Sequence, residues 1–249
     1  MIVELDGLWK LVTRLYLSDP STHAYLMNDL IREIDRTSVL FNTDGRSIKG
    51  YMLVWRSRVL GIHLWGDYEP FLDMIPEGKA VVQIWGREEP ALVKIRGRVE
   101  RFIDMIVDER SFNPVNPDKA VRLRDDDEEH VRAFLKVKEV QGREVDEEEA
   151  RDLLRRWRYY GLLEGGELLS IACAYLRMPE IWIVGDVFTV PEARGRGYAK
   201  ITTSAVTRDA LCSGAMAMLH VNSTNSPAIK VYRALGFRSV RTRSWIFVD

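Results

Sequence analysis

Apolar positions along the chain change their spacing more than once. Between about Gly7 and Arg36 they recur at helical intervals, broken at Asp19-Pro20, a step that suits a turn and a restart. Strand-like runs follow: TSVLFNT, IKGYMLVW, GIHLWG, KAVVQIWG and ALVKIRGRV, each bounded by Gly, Pro or Asp and rich in β-branched or aromatic residues. The stretch Ser111 to Lys119 carries two Asn-Pro steps and little apolar content, which predicts a linker. Beyond it helix and strand signals alternate. VRLR reads as a short strand. DDDEEHVRAFLKVK and VDEEEARDLLRRW read as helices, the second with Asp146 as N-cap. YYGLLEGGELLSIACAYL reads as a hairpin turning at Glu164-Gly165-Gly166-Glu167. IWIVGDVFTV is almost wholly apolar, as expected of a strand buried on both faces.

After that strand, Ile201 to Ser213 places Ile201, Ala205 and Cys212 on one helical stripe, and AMAMLHV is a further strand. Ser226 and Pro227 suit an N-cap and first helical position, and Gly236 suits the stop, which brackets a helix carrying Tyr232. FRSVRTRSWIFV closes with strands. The C-terminal half is therefore expected to be an α/β domain with a mixed sheet. KGYMLVWRSRVLGIHLWGD and SIACAYLRMPEIWIVGD share a strand, break, strand and Gly-Asp order, which suggests a tandem repeat of one architecture. The boundary is expected between domains 1–115 and 116–249.

Composition narrows the function classes. With 46% hydrophobic residues in 249, the chain can bury one large core or two modest ones. Lys+Arg of 36 against Asp+Glu of 37 gives a net charge of -1, so no basic field of a nucleic-acid binder is seen. The acidic opening MIVELDGLWKLV does not suit a secretory signal, and no apolar run of about eighteen residues exists. Neither a membrane nor a nucleic-acid partner is expected, and the expected setting is cytoplasmic. Cys173 and Cys212 form no CxxC and are expected to be buried free thiols.

PEARGRGYAK, Pro191 to Lys200, is the stretch with chemistry in it. Gly195 and Gly197 let backbone N–H groups approach an anion, the next helix adds its free N–H groups and dipole, and Arg194 and Arg196 add charged donors. The loop follows an apolar strand and precedes a helix, as an anion site requires. It lacks the Gly-Lys-Ser/Thr of a P-loop, and Lys200 stands where a dinucleotide fingerprint has its third glycine.

Arg194-Gly195-Arg196-Gly197-Tyr198-Ala199 resembles the Arg/Gln-x-x-Gly-x-Gly/Ala signature of the GNAT superfamily of acyl-CoA-dependent N-acetyltransferases. Asn225 to Phe237 resembles the second signature, Asn-x-x-Ala-x-x-x-Tyr-x-x-x-Gly-Phe. The resemblance covers roughly Val121 to Asp249. It implies a GNAT-like mixed central sheet flanked by helices, and the two-part layout resembles the glycine N-acyltransferase-like branch, with a degenerate N-terminal GNAT-like domain lacking the coenzyme site. What it implies further is acetyl-CoA as cofactor and a primary amine on a small molecule, amino acid or peptide as acceptor. No metal is expected, because the acids Asp125 to Glu129 beside His130 suit a helix start better than a metal site. Transfer would occur by direct attack in a ternary complex. A coenzyme A-binding sensor or interaction module without turnover is the alternative.

The resemblance also implies roles for residues. Backbone groups of Val187, Phe188, Thr189 and Val190 would bond the pantetheine arm, and the N–H groups from Arg194 through Gly195, Arg196, Gly197, Tyr198, Ala199 and Lys200 would hold the pyrophosphate. Tyr232 is either the acid toward the departing thiolate or a core tyrosine. Asn225 either bonds the pantetheine or caps the helix. Asp186 is either a base with a burial-raised pKa or a carboxylate accepting hydrogen bonds. Asp125 to Glu129 with His130 reads as an acidic helix start, and Arg155 to Tyr160 as a helix end running into an edge strand.

Overall fold

A computed structural model describes residues 2–3 and 7–249 of the chain, so the acidic opening residues Glu4 and Asp6 lie outside the described residues. The chain forms two compact units. One comprises Met1–Asp104, Asn222–Thr224 and Arg241–Asp249; the other comprises Met105–Val221 and Asn225–Val240.

In the first unit, helices α1 (Trp9–Ser18) and α2 (Pro20–Arg32) meet at Asp19. Its carboxylate accepts the Thr22 N–H at 3.1 Å, so the Asp-Pro step both ends one helix and caps the next. A two-residue strand β1 (Ile2–Val3) lies on β2 (Thr37–Thr43), followed by β3 (Ile48–Trp55), β4 (Leu60–Gly66), a 3-10 turn at Glu69–Met74 and β5 (Ala80–Trp85). β2, β3 and β4 are antiparallel and β5 is parallel to β4. Met52, Ile62, Leu64, Phe71, Val82 and Ile84 form the buried cluster on this sheet. The stretch ALVKIRGRV is not one strand. Pro90 sits in the first turn of a helix, α3 (Glu89–Lys94), and strand β6 (Arg98–Val107) begins only after it.

The second unit repeats the order. A two-residue strand β7 (Val121–Arg122) pairs with β8 (Arg158–Glu164), and helices α4 (Glu128–Val140) and α5 (Glu147–Arg156) lie between them in sequence. β8, β9 (Glu167–Arg177) and β10 (Ile181–Thr189) are antiparallel. Helix α6 (Tyr198–Cys212) crosses to β11 (Met216–Asn222), which is parallel to β10. Helix α7 (Ser226–Ala234) and strand β12 (Arg238–Val248) follow, and Arg241 onward belongs to the first unit, where Trp245 to Val248 pair with β5. The hairpin turn pairs Glu164 with Glu167, as its two glycines require.

Helices α4 and α5 pack against Tyr159, Ile171 and Cys173, whereas α6 packs against Tyr160 and Leu162. The alternation along β8 thus sends successive residues to different helices. Ser111 to Lys119 is tied to the second unit: Asn113 N–H donates to Leu235 O, and Val115 N–H donates to the Ser204 hydroxyl. Two local expectations change. Asn225, not Ser226, is the cap of α7, and Cys212 is exposed at the end of α6 while Cys173 is buried.

Candidate active site

Strand β10 changes character halfway along. Ile181 to Val184 are buried and pair with both neighbours; the parallel register with β11 runs from Ile181↔Met216 to Val184↔Leu219 and stops there. On the β9 side a register shift follows Gly185, and pairing resumes at Phe188↔Ile171 and Thr189↔Ser170. The shift is centred on Asp186, whose φ of 48° is left-handed, an unusual state for a residue with a Cβ. The two parallel strands therefore part after Val184. Phe188 and Thr189 keep their β9 partners and have no β11 partner, and Val187 falls within the register gap.

Gly185 is needed for the same bend, because a Cβ there would meet the Tyr175 ring at 2.6 Å. Behind the strand, the buried Ser170 hydroxyl donates to Phe188 O at 3.0 Å. It also lies 2.9 Å from the Thr189 hydroxyl and 3.2 Å from that of Thr202. These contacts fix the end of β10 to the first turns of α6.

The glycine loop occupies that junction. Gly195 and Gly197 have φ of 79° and 85°, and Gly197 caps α6 with no side-chain cap bond. No acidic residue occupies the first turn, which holds Tyr198, Ala199 and Lys200; the Lys200 N–H donates to Gly197 O at 3.0 Å, so the positive end of the helix and the N–H groups ahead of Lys200 face the loop. The Arg194 guanidinium donates to Thr189 O at 3.2 Å and lies 5.8 Å from the Phe188 ring centroid. Across from the loop, Asn225 accepts the Ala228 N–H at 3.2 Å, a capping bond that holds α7 in place. Tyr232 on α7 is 8% exposed, and burial pushes its phenol up to about 12. Gly236 closes this helix with φ of 92°, at a point where a Cβ would run into Ser111 O.

These elements enclose a cavity of about 610 Å³. Val187, Phe188 and Thr189 line it from the strand, and Ala193, Arg194, Gly195 and Gly197 from the loop. Tyr198, Ala199 and Lys200 line it from α6; Asn225, Pro227, Ala228, Val231 and Tyr232 line it from α7 and its cap. Three residues expected at the site do not line this cavity: Asp186, described below, Arg196 and Val190. Arg196 is exposed and outside the lining, and Val190 lines a separate groove along α4. The cavity suits the chemistry of a coenzyme A thioester: a strand edge for an amide-bearing arm and a glycine cradle with cations for a pyrophosphate.

Asp186, the candidate base, lies off this cavity. Its side chain is 6% exposed and does not line the cavity. The Lys138 ammonium donates to it, as do Tyr159 Oη at 2.6 Å and Gln141 Nε2 at 2.8 Å. Burial alone would raise its pKa, as expected. The Lys138 charge and the three hydrogen bonds outweigh burial and hold the carboxyl below its ordinary value. The raised pKa expected from sequence is thus replaced by a lowered one. Lys138, Gln141 and Tyr159 were not anticipated as part of the site. The signal was present in α4, where Val131, Phe134 and Lys138 share one face and a lysine takes an apolar position.

The remaining polar runs have local explanations. Asp127 accepts the Glu129 and His130 N–H groups as the cap of α4. Arg155 and Arg156 end α5, and Arg158 opens β8. Among the described residues no group of three or more His, Cys, Asp or Glu could hold a metal ion, and no helix is long and apolar enough to cross a membrane.

Comparison with known proteins bears on the fold. Residues 159–246 match the family model described as FR47-like protein. A Drosophila protein of known structure aligns over 100% of this chain and 98% of its own, with a TM-score of 0.76 at 13% identity. A tandem GNAT protein from the clavulanic acid biosynthesis pathway aligns over 99% and 97%, with a TM-score of 0.61 at 13% identity. A GNAT-family acetyltransferase structure from Novosphingobium aromaticivorans covers 74% of this chain and 82% of its own, with a TM-score of 0.56 at 23% identity. No match is found among curated proteins. The protein has the mixed α/β fold of the GNAT acetyltransferases. The matched family segment lies in the half that carries the parted strands and the glycine loop.

Proposed function

We propose that the second unit binds acetyl-CoA in the cavity between β10, α6 and α7 and transfers the acetyl group to a primary amine. The supporting observation is convergence: an unpaired strand edge, a positive-φ glycine cradle at an uncapped helix start, and a buried tyrosine line one cavity. When bound, the thioester supplies the acyl group. The N–H groups along Val187 to Thr189 hold its arm and polarise the carbonyl. The helix start, Arg194 and Lys200 hold its phosphates.

Tyr232 is the acid in this reading. With its pKa pushed up to about 12 it stays protonated through the working pH range and can donate to a departing thiolate. Asp186, bound to Lys138, shapes the strand instead of taking the proton. The amine then arrives as its free base and attacks the thioester carbon. As the C–S bond breaks, Tyr232 protonates the thiolate and is reprotonated by the proton the new amide nitrogen sheds. Accordingly, kcat/KM is expected to rise with pH from about 6 to 9, following the amine's own titration. The acceptor class remains a small-molecule, amino-acid or peptide amine, and a cytoplasmic setting with no nucleic-acid or membrane partner fits the balanced charge.

The cavity lining includes no carboxylate or imidazole, which favours a second reading, a coenzyme A-binding module without turnover. The test is thiol release from acetyl-CoA across a broad amine panel, beside native mass spectrometry of the purified protein. Turnover that falls about 100-fold in Tyr232→Phe, with coenzyme affinity changed less than threefold, supports transfer. Binding with no turnover across the panel selects the module. Failure to bind any coenzyme A species overturns both.

A further inference from the structure

Lys138 is among the largest fully buried side chains, although it carries an ammonium. Its Nζ reaches the Asp186 carboxylate, Gln141 Oε1 at 3.2 Å and Tyr159 Oη at 3.4 Å, and it lies 4.9 Å from the Phe134 ring centroid and 5.3 Å from that of Tyr159. Gln141, just past the end of α4, bonds the carboxylate as well. The polar groups around this ammonium, Gln141 and Tyr159, also bond the Asp186 carboxylate, and Asp186 sits at the turning point of β10. Arg143, mostly exposed and 3.9 Å from the carboxylate, adds a weaker, screened attraction.

A buried ion pair is weak evidence for stability, since apolar residues of similar size serve as well or better. A left-handed non-glycine residue is likewise unfavourable unless its surroundings hold it there. The two costs meet at Asp186, just past the last residue of β10 that pairs with β11, where the parting on which the coenzyme reading depends begins. We propose that Lys138 is a positioning residue: from the last turn of α4 it holds Asp186 in its left-handed conformation. The backbone of Val187 to Thr189 is thereby set along the cavity. Lys138 touches nothing in the cavity itself and acts through the strand. The inference deepens the acyl-CoA reading and rests on it for its consequence, though not for its geometry.

The test separates the two. Hydrogen exchange of peptides spanning Gly185 to Val190 reads the strand without any ligand. In Lys138→Met these amides are expected to exchange at least tenfold faster while peptides in α6 and β8 keep their rates, and Lys138→Arg should restore much of the protection. Unchanged exchange in a folded Lys138→Met protein overturns the proposal. Because that variant leaves a buried carboxylate unpaired, a second pair removes both charges: K138M/D186G against K138M/D186A. Glycine accepts a φ near 48° and alanine resists it. The glycine pair is therefore expected to exchange more slowly at these amides and to bind coenzyme A at least fivefold more tightly. Equal exchange in the two overturns the positioning role. If the unaltered protein binds no coenzyme A, the functional reading fails, and exchange alone still decides for or against the lock.

Discussion

The two halves of the chain run through the same elements and differ at one crossover. Each has two helices, three antiparallel strands, a crossing, a strand parallel to the third, a short helix and a final strand. In the first half the parallel pair stays zipped from Leu60↔Ala80 to Trp65↔Trp85, and β4 pairs with β3 without a register shift. In the second, pairing ends after Val184 and β10 bulges at Asp186. The crossing itself also differs: a 3-10 turn at Glu69–Met74 that buries Phe71, against a glycine loop and the fifteen-residue helix α6. A thioester arm needs an open strand edge, and a pyrophosphate needs a free helix start. The first half presents neither at this crossing, for a reason visible in its hydrogen bonds.

The comparison can be broken at several strengths. The largest effect is expected from Phe71→Ala, which empties a fully buried site in the first crossing and should cost about 3–5 kcal/mol in denaturant unfolding. If that crossing is purely structural, folded Phe71→Ala protein keeps its coenzyme affinity; a parallel loss would show that the first half takes part in binding.

A second effect lies in the buried ionisable groups of the first unit. Burial raises Asp29 to about 7, with Glu33 adding to it against the Asn28 hydrogen bond, and burial lowers His23 to about 4. Folded Asp29 holds its proton above the unfolded pKa, so its share of stability is present below about pH 4 and is lost as pH rises toward 7. Folded His23 resists protonation, so its share is present above about 6.5 and is lost as pH falls toward 4. Each is worth at most about 3–4 kcal/mol, and the two oppose each other. Asp29→Asn should unmask the histidine, so that stability falls steadily from pH 6.5 to 4. A flat profile in that variant would refute the assignment.

The smallest effect is expected at the loop. Gly197→Val strains a position at φ 85° and brings a side chain to the cavity wall, with open space around it otherwise. Coenzyme A affinity should fall about 30-fold, near 2 kcal/mol, by calorimetry, with little change in melting temperature. Unchanged affinity would remove the loop from the site.

Much of this was legible from local patterns. The Asp19-Pro20 break, the Glu164–Glu167 turn, the glycine loop between strand and helix, and the Gly236 stop each depend on residues within a few positions. Backbone preference and capping decide them almost alone. Where a nearby proline mattered more than the β-branched run after it, as at Glu89–Lys94, the strand reading failed. Cys212 shows a similar limit, since helical spacing gave its stripe but not where that stripe ends.

The sequence by itself determined that a strand, a glycine loop and a helix follow one another, and that a tyrosine rides on a capped helix further on. It could not decide what Asp186 does. A lone acid in an apolar strand suits a base with a raised pKa as well as a bound carboxylate. The choice was made by Lys138, forty-eight residues earlier, when packing of α4 on the sheet brought its ammonium to that carboxylate. Parting of the parallel strands was likewise hidden, because register belongs to pairs of strands and neither sequence carries it alone.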